Sequence, residues 1–573
     1  MQRPLLISLA AALALAACGG DRQDDAAAPT AQADAAPAAG AETHAFSPEI
    51  AEDDFRELVR TLASDEFEGR APGSPGEEKT VEYIRAQYER IGLQPGGEDG
   101  GWYQTVPMVE TTADESTVLR LDSNGQQREL EFGTDMVIGT RTGQPRVEID
   151  DSELVFVGYG VDAPEQDWND YAGVDVEGKT VVILVNDPGF HAGDESLFEG
   201  NRMTYYGRWT YKYEEAARKG AAAALIVHDT EGASYGWDVV RNSWSGAQFD
   251  LRAEDDPEPR LPAQGWISTE VARQLFADSG HDLDEMYAAA NRRGFEAVPL
   301  QASMSVDLES TVAEKSSRNV IGVLPGSTSP DEAVIYMGHW DHLGAHERDD
   351  GGRDIYNGAV DNATGIAGII EIAERFASEE PAPQRSLVFL AVTLEESGLL
   401  GSKYYVAQPT FPMEKIAAVI NLDAMSVAGP SRDFVVTGKG SSELEDILET
   451  IAGEQQRTLV EEGNPAGGFY FRSDHFNFAK AGVPALYAKG GSDLVEGGTE
   501  AGKAATEDYA SRYHQPGDVY REEWNLGGVI QDLEALYRVG RVLVDDPDRW
   551  PNWYEGNPFK AARDEMMAGA DGT

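Results

Sequence analysis

The chain of 573 residues has one cysteine, few basic residues and no apolar run of transmembrane length. The single Cys18 excludes an intrachain disulfide and a zinc site built from several thiolates. Lysine and arginine number 46 against 101 acidic residues, which gives a formal net charge of −55. Such a field repels nucleic acid and anionic lipid, so neither is an expected partner. The chain is long enough for more than one globular domain.

The first residues have the pattern of an export signal. Arg3 precedes an apolar run from Leu5 to Ala17, which is too short to span a bilayer as a stable helix. The sequence Leu-Ala-Ala-Cys that ends at Cys18 resembles a bacterial lipoprotein processing site, which implies cleavage before Cys18 and lipidation of its thiol. An ordinary signal peptide with an incidental cysteine is the alternative. We therefore expect an exported lipoprotein that faces the periplasm or the outside, with Cys18 as its only membrane contact.

Composition divides the chain into segments. After the signal peptide, residues rich in Ala, Asp, Pro and Gly bury too little apolar area to fold, so they predict a disordered tether. The predicted segments are the signal peptide at 1–17, the tether at 18–45, a first part of the main domain at 46–146, an inserted domain at 147–300, the rest of the main domain at 301–546 and a tail at 547–573.

After Ser317, short apolar runs alternate with helical patterns. The runs "AVIYMGHWD", "SLVFLAVTLEE" and "IAAVINLDA" are rich in β-branched residues, and "NATGIAGIIEIAERFA" has helical spacing. Upstream, the apolar residues of "GEEKTVEYIRAQYERIG" also recur at helical spacing, with Gly92 as the stop signal. This alternation predicts an α/β fold with a mainly parallel, doubly wound sheet that carries helices on both faces.

Acidic and imidazole side chains follow these apolar runs. In a doubly wound sheet, the carboxyl ends of the strands and the loops after them come to one edge. Carboxylates crowded there repel one another unless cations neutralise them, and imidazole with carboxylate oxygen is a typical zinc ligand set. Any one of these residues alone is explained equally well as a cap or a surface group. The residues are His339, Asp341, Asp361, Glu395, Glu396, Asp423 and His514.

Six sequence motifs around these residues occur in one order along the chain. Together they resemble the co-catalytic zinc peptidase family of bacterial leucyl aminopeptidases and glutamate carboxypeptidase. The upstream segment "LASDEFEGRAPGSPGEEKTVEYIRAQYERIGLQP" is similar to that family's N-terminal segment. The resemblance implies the phosphorylase/hydrolase-like fold of zinc exopeptidases. The motifs are "GHWDHLG", "GAVDNATGIAG", "TLEESGLLGS", "NLDAM", "SDHFNFAKAGVPAL" and "YHQPGD".

The predicted inserted segment, 147–300, has a resemblance of its own. Its stretches "DYAGVDVEGKTVVILV" and "AARKGAAAALIV" resemble the protease-associated domain, a β-rich α/β module. A plain α/β insertion of unknown role is the alternative.

The family resemblance, carried over residue by residue, implies two co-catalytic Zn²⁺ ions. His339 and Asp423 would hold one ion, and Glu396 and His514 would hold the other. Asp361 would bridge the two ions.

Three further residues receive roles from the same resemblance. Asp341 would hydrogen-bond His339 and fix its tautomer. Glu395 would be the general base. Tyr470 would stabilise the oxyanion, with a neighbouring aromatic residue as the alternative lining of the pocket.

The remaining polar residues near the motifs have ordinary interpretations. His342 and His346 have no matching family position, and we interpret them as polar loop residues at the rim of the site. His475 is interpreted as a hydrogen-bonded wall residue. Asp518 either supports His514 through its loop or serves the turn in "HQPGD".

The resemblance implies an exopeptidase that removes N-terminal residues from peptides through a metal-bridging hydroxide, with Glu395 as general base. A free α-amine can lie beside the carboxylate-rich cluster, which favours the aminopeptidase. The alternatives are a carboxypeptidase, in which Arg472 could meet the substrate carboxylate, a one-zinc glutaminyl cyclase, and a non-catalytic binding protein. Peptides are the expected partners, and the oligomeric state is not predicted.

Overall fold

The computed structural model of the chain describes residues 44–256, 258–348 and 350–570. The predicted signal peptide, Cys18 and the tether as far as residue 43 lie outside these residues. Within the described ranges, no helix combines the length and the apolar character needed to cross a bilayer.

The described residues fold into helices and strands that alternate along most of the chain. Their α-helices are Glu52–Leu62, Pro75–Ile91, Trp209–Arg218, Thr230–Ala233, Trp237–Trp244, Thr269–Asp278, Leu283–Ala290, Thr364–Ala377, Leu400–Ala407, Leu444–Glu454, His475–Lys480, Gly498–Ala510, Gly527–Asp545 and Lys560–Ala570.

A large mixed sheet forms the centre of the main body. Four neighbouring strands in its middle are parallel, and the strands on either side of them join antiparallel. The α/β fold with a mainly parallel central sheet, predicted from the alternation, is therefore confirmed. In spatial order the strands are Ala247–Leu251, Tyr103–Ala113, Val298–Leu324, Arg385–Val392, Ser329–His339, Ile416–Asn421, Ala485–Gly490, Asp433–Val436 and Thr458–Glu461.

Both faces of the large sheet are buried. Along strand Ser329–His339, Val334 and Tyr336 pack into one hydrophobic core, whereas Ile335 and Met337 pack into the other. Successive strand residues point to opposite faces, so a strand buried on both sides reads as a continuous apolar run. Helices cover both faces, as the doubly wound prediction requires.

Helix Pro75–Ile91 begins and ends at the signals expected from its sequence. The Ser74 side chain accepts hydrogen bonds from the backbone N–H groups of Gly76 and Glu77. At the other end, Gly92 has φ 91°, a left-handed conformation that glycine adopts without steric cost. These caps hold the helix against strand Val298–Leu324.

A second sheet carries its own hydrophobic cores and helices. It is mixed, with parallel pairing in its middle and antiparallel pairing elsewhere. The helix and strand predicted within "KYEEAARKGAAAALIVHD" are present as Trp209–Arg218 and Ala223–Val227. In spatial order its strands are Gln126–Glu131, Val118–Ser123, Val298–Leu324, Arg146–Phe156, Thr180–Leu184, Ala223–Val227, Ala263–Ile267 and Met136–Gly139.

The two sheets share the 27-residue strand Val298–Leu324. Its residues 298–309 pair within the second sheet and its residues 310–324 pair within the large sheet. The expected inserted-domain boundaries at 147 and 300 stay predictions. The second sheet also takes in strands upstream of residue 147, and residue 300 lies inside the shared strand.

The segment after Asp546 also contributes to the main body. Trp553 and Phe559 are buried in the core beneath one face of the large sheet, and helix Lys560–Ala570 follows them. The sequence alone gave this tail no assigned structure.

Candidate metal centre

The predicted site residues gather at the carboxyl edge of the parallel strands. In the strand register, His339 lies beside Val392, and Met337 lies beside Asn421. Strands Ser329–His339, Arg385–Val392 and Ile416–Asn421 therefore end side by side. The residues that follow them, and the loop before helix Thr364–Ala377, face the same space.

The first group consists of His339, Asp361 and Asp423. Nε2 of His339 lies 3.2 Å from an oxygen of Asp361 and 3.6 Å from an oxygen of Asp423. One ligand atom from each residue fits within a 4.8 Å cluster, and all three residues are buried. The arrangement matches the first predicted ligand set together with its bridging carboxylate.

The second group surrounds Glu396. Nε2 of His514 lies 3.1 Å from Glu396 and 3.3 Å from the other oxygen of Asp361. Asp361 therefore faces both groups, as expected of a shared ligand.

His342 also belongs to this second group. Its Nδ1 lies 2.5 Å from Glu396, and its ligand atom clusters with those of Asp361 and Glu396 within 4.8 Å. The sequence interpretation placed His342 at a polar rim, but the residue is fully buried. The signal that could have revealed it is its position three residues after His339, in the loop that leaves the same strand end.

The chemistry of these groups fits divalent metal ions. Nε2 of His339, His342 and His514 is buried in each case, and none of the three atoms has a hydrogen-bond partner among the described residues. His339 and His514 thus present unpartnered Nε2 atoms to buried carboxylates, and His342 presents Nδ1 to Glu396. Imidazole nitrogens and carboxylate oxygens together form a donor set typical of zinc. A bound cation would relieve the repulsion among the carboxylates and give each nitrogen a partner.

The electrostatics of the centre separate Glu395 from Glu396. Burial raises the pKa of Glu395 well above its usual range, and Glu396 and Asp423 add to the shift against the opposing charge of His339. For Glu396, burial acts in the same direction, but the nearby imidazole groups of His342 and His514 lower its pKa overall. Glu395 is thus the stronger proton acceptor of the two neighbouring carboxylates.

Asp341 holds the glutamate pair in place. Its two carboxylate oxygens accept hydrogen bonds from the backbone N–H groups of Glu395 (3.2 Å) and Glu396 (3.4 Å). Nδ1 of His339 lies 3.1 Å from the backbone carbonyl of Asp341 and 3.7 Å from its carboxylate. The group nearest to Nδ1 of His339, which would fix its tautomer, is therefore the backbone carbonyl of Asp341 rather than its carboxylate.

Asp518 and Arg70 support the loop that carries Asp361. The Asp518 carboxylate accepts hydrogen bonds from the backbone N–H groups of Val360 and Asp361, both at 3.1 Å. Asp518 therefore serves the shared ligand rather than His514. Sequence reasoning gave Arg70 no individual role, although it lies in the segment "EGRAPGSPGEE" that resembles the family's N-terminal region.

Arg70 is buried and ties together the two loops around the centre. Its guanidinium group donates to the backbone carbonyls of Trp340 (2.8 Å), Asn357 (2.5 Å) and Gly358 (2.8 Å). Burial lowers its pKa to about 10, although Asp361 and Asp518 oppose the shift. The side chain remains cationic at neutral pH and offsets part of the negative charge of the centre.

Asp423 is oriented by Ser473, whose hydroxyl donates to it at 2.6 Å. Tyr470 lies nearby but does not line the cavity that contains Glu395; it lines a separate one with Gly438. Its hydroxyl has no hydrogen-bond partner among the described residues, and its ring packs against His475 with centroids 4.6 Å apart. The oxyanion role of Tyr470 stays a prediction. His475 is a buried wall residue, 3.4 Å from the Asn421 amide.

Fold and site together define an α/β protein with paired metal-binding groups at the carboxyl edge of a parallel sheet. Residues 319–537 match the family model described as Peptidase family M28. This segment contains every predicted metal ligand. The similarity to this family thus covers the part of the chain that carries the candidate metal centre.

Curated relatives match parts of the chain. A "Probable zinc metalloprotease" of Pyricularia oryzae is 32% identical over 237 residues, which are 38% of this chain and 42% of the relative. "Aminopeptidase NAALADL1" of Mus musculus is 30% identical over 23% of this chain and 17% of its own length. "Probable glutamate carboxypeptidase AMP1" of Arabidopsis thaliana is 25% identical over 50% of this chain and 38% of its own length. The chain thus matches less than half of each of these relatives.

Among solved structures, an aminopeptidase from Aneurinibacillus sp. strain AM-1 is similar at a TM-score of 0.46 and 19% identity. The match covers 86% of this chain and 93% of that one.

Proposed function

We propose that the protein is a dinuclear zinc exopeptidase that removes N-terminal residues from peptides. The observation that carries the proposal is the pair of ligand groups that share Asp361, with Glu395 beside them. His339 and Asp423 would hold one ion, and Glu396 with His514 the other. His342 is close enough to Glu396 to orient it or to join it as a ligand.

The residues of the centre divide the chemistry between them. Bound zinc supplies Lewis acidity, which polarises a peptide carbonyl and lowers the pKa of water. Glu395 accepts a proton from the attacking water at its carboxylate and delivers it to the leaving nitrogen. The raised pKa of Glu395 suits this task, because it makes the carboxylate a stronger proton acceptor.

The preference for N-terminal residues rests on charge. A free α-amine is a cation at neutral pH, and the centre is rich in carboxylates. The printed descriptions of the relatives name both an aminopeptidase and a probable glutamate carboxypeptidase. A carboxypeptidase is the second candidate, because Arg472 lines the same cavity as Glu395 and could meet a substrate carboxylate.

The decisive experiment is a panel of amino-acid anilides and short peptides, assayed with and without a chelator. An aminopeptidase cleaves peptides that have a free N-terminal amine and does not cleave the same peptides when that amine is acetylated. A carboxypeptidase cleaves N-acetylated peptides but not peptides with an amidated C-terminus. A glutaminyl cyclase releases pyroglutamyl peptides. If no peptide is cleaved by zinc-loaded protein, the proposal is wrong. Two zinc ions per chain are expected by elemental analysis.

We also propose that the chain is exported and held at a membrane through a lipidated Cys18, and that the second sheet belongs to a protease-associated domain. The Leu-Ala-Ala-Cys pattern and the stretches quoted above support these two proposals. Labelling of cells with radioactive fatty acid tests the anchor. The label should enter the wild-type protein and be absent from Cys18→Ser.

A further inference from the structure

The turn that presents Asp423 leaves two backbone carbonyl groups outside the strand ladder. Strand Ile416–Asn421 pairs with strand Ala485–Gly490 only as far as its own last residue. After that residue the chain leaves the ladder, and Ala424 has φ 49°, a left-handed conformation that is rare for a residue with a side chain. The carbonyl groups of Asp423 and Ala424 therefore need hydrogen-bond donors from elsewhere.

Lys489, in strand Ala485–Gly490, supplies these donors. The last pair of the parallel ladder is Asn421 with Tyr487, so Lys489 lies at the level of Asp423. Its ammonium group donates to the carbonyl oxygen of Asp423 at 3.1 Å and to that of Ala424 at 2.9 Å. The lysine side chain thus continues the hydrogen bonding where the backbone pairing stops.

The hydroxyl of Tyr487 completes the arrangement. It accepts the third hydrogen bond of Lys489 at 3.2 Å and donates to the carbonyl of Asp423 at 3.2 Å. An ammonium group has three N–H donors, and all three are used here. Lys489 therefore has no donor left for a substrate, so its contacts indicate a role in holding the turn.

Other residues hold the remaining groups of this turn. Ser473 donates to the carboxylate of Asp423 at 2.6 Å, and Asn362 accepts a hydrogen bond from the N–H of Ala424 at 3.1 Å. The carbonyl side of the turn has Lys489 as its donor to both oxygens. Loss of this side chain would free the carbonyls of a left-handed turn while the other anchors stayed in place.

The second ligand group has different anchors. Asp341 accepts a hydrogen bond from the N–H of Glu396, and Nδ1 of His342 lies 2.5 Å from the Glu396 carboxylate. The hydrogen bonds of Lys489 reach only the turn of Asp423 and the neighbouring phenol. A change at Lys489 should therefore affect one ligand group and not the other.

We propose that Lys489 is a positioning residue that fixes the turn of Asp423 and thereby sets the affinity of the zinc ion at His339 and Asp423. The proposal rests on the proposed function, because that function supplies the two ions. The ion at Glu396 and His514 does not depend on Lys489.

Charge and position act on zinc affinity in opposite directions. An ammonium group near the centre repels a zinc ion, so the loss of its charge alone would tighten zinc binding. Loss of a partner that orients a ligand weakens metal binding by about tenfold to a hundredfold. Because Lys489 contacts the turn directly, we expect the second effect to prevail, and the sign of the change distinguishes the two.

Competition with a chromophoric chelator measures the two stepwise zinc affinities of each variant. Lys489→Met should lower one affinity by about tenfold to a hundredfold and leave the other unchanged, and Lys489→Arg should recover most of the loss. Lys480→Met is the matched control and should change neither affinity, because the Lys480 ammonium meets the carboxylate of Glu214. Unchanged or tighter binding in Lys489→Met overturns the proposal. An equal loss at both ions also overturns it, because general damage to the fold would weaken both.

Two further backgrounds identify the ion. In His514→Gln the ion at Glu396 loses a ligand, so the ion that remains is the one at His339, and Lys489→Met should weaken it by the same factor. In His339→Gln the remaining ion lies at Glu396, and Lys489→Met should not affect it. The reverse pattern contradicts the proposal.

Tyr487→Phe is a second test that does not depend on the folding of Lys489→Met. It removes one donor to the carbonyl of Asp423 and keeps the lysine. The same zinc ion should bind more weakly, but by less than in Lys489→Met. If Tyr487→Phe binds both ions as the wild type does, the proposal is wrong.

Peptide cleavage measured on the same samples separates this proposal from the proposed function. If the wild-type protein binds two zinc ions but cleaves no peptide, while Lys489→Met weakens one ion, the proposed function fails and the role of Lys489 stands. If peptides are cleaved and Lys489→Met keeps both wild-type affinities, the role of Lys489 fails and the proposed function stands.

Discussion

Both sheets place histidine and aspartate directly after parallel strands, but the two edges use them differently. In the second sheet, His228 and Asp229 follow strand Ala223–Val227. Asp229 caps the next helix through the N–H groups of Glu231 and Gly232. It also pairs with His191 at 2.7 Å. Nε2 of His228 lies 3.1 Å from the backbone carbonyl of Tyr235. These polar groups are therefore already engaged in a helix cap, an ion pair and a contact with a backbone carbonyl.

At the edge of the large sheet, the corresponding groups converge without such partners. Nε2 of His339 and of His514 faces carboxylates, and Nδ1 of His342 faces Glu396. Nε2 of all three histidines makes no hydrogen bond among the described residues. The same residue types after the same kind of strand thus serve capping in one region and form a candidate metal centre in the other. The difference lies in whether nearby backbone groups satisfy the side chains.

The largest expected effect concerns the proton carrier. Glu395→Gln keeps the size of the side chain but cannot accept a proton, so kcat should fall by about 10²–10⁴-fold. Zinc content measured by elemental analysis should not change, because Glu395 is not among the clustered ligands. Activity close to that of the wild type would reject Glu395 as the base.

The shared carboxylate gives the next largest effect. Asp361→Asn should reduce bound zinc from two ions per chain to fewer than one, because Asp361 faces both ligand groups. Asp229→Asn is the matched change at the other edge. It should leave zinc content intact and lower the free energy of unfolding by about 0.5–2 kcal/mol through its helix cap. If Asp361→Asn still holds two zinc ions tightly, Asp361 is not a ligand that the two ions share.

His342 sharpens the comparison further. His342→Gln should weaken binding of the zinc ion at Glu396 by about tenfold to a hundredfold, the range for partners that orient a ligand. His191→Gln serves as the control, because His191 also pairs with an acidic residue but at the other edge. Competition with a chromophoric chelator measures both affinities. If the two variants bind zinc with equal affinity, His342 does not contribute to the metal centre.

The smallest expected effect is a pH dependence of the metal-free protein. Burial opposes the charge of His514, but Asp361 and Glu396 outweigh it and raise its pKa to about 10. In the unfolded chain the pKa is about 6.5. The stabilisation is therefore complete below about pH 6.5 and is lost as the pH rises towards 10.

Urea unfolding at several pH values measures this loss. Metal-free wild-type protein should lose stability over this window, and His514→Gln should lose less. A flat profile for both proteins would show that the proton on His514 contributes nothing. Zinc binding displaces the same proton, so zinc affinity should rise with pH across the window.

The central fold, and the gathering of the candidate ligands at one sheet edge, could be predicted because several local signals agree. Each parallel strand is buried on both faces, so it appears as an uninterrupted apolar run, and its end fixes where the next polar side chain lies. His339, Asp361, Glu396, Asp423 and His514 could be assigned by order and resemblance. The sequence does not show which backbone N–H groups donate to a given carboxylate. The support that Asp518 gives to the loop of Asp361 was therefore not predicted.

Other features depend on contacts between distant segments. Arg70 reaches carbonyls nearly three hundred positions away along the chain, and its neighbours in sequence give no sign of that. The continuity of strand Val298–Leu324 was equally hidden, because a strand that passes from one sheet to the next has no break in its composition. The rim interpretation of His342 followed from family positions and ignored its proximity to the strand end.

Strand Val298–Leu324 belongs to both sheets, and this limits which residues can be removed from the chain. A shortened variant in which Ala113 is joined directly to Ser310 would lack the second sheet and the cavity wall formed by helix Trp209–Arg218. The candidate metal centre would then be open to bulk water on that side. The edge of the large sheet would still carry every residue that the proposed chemistry needs.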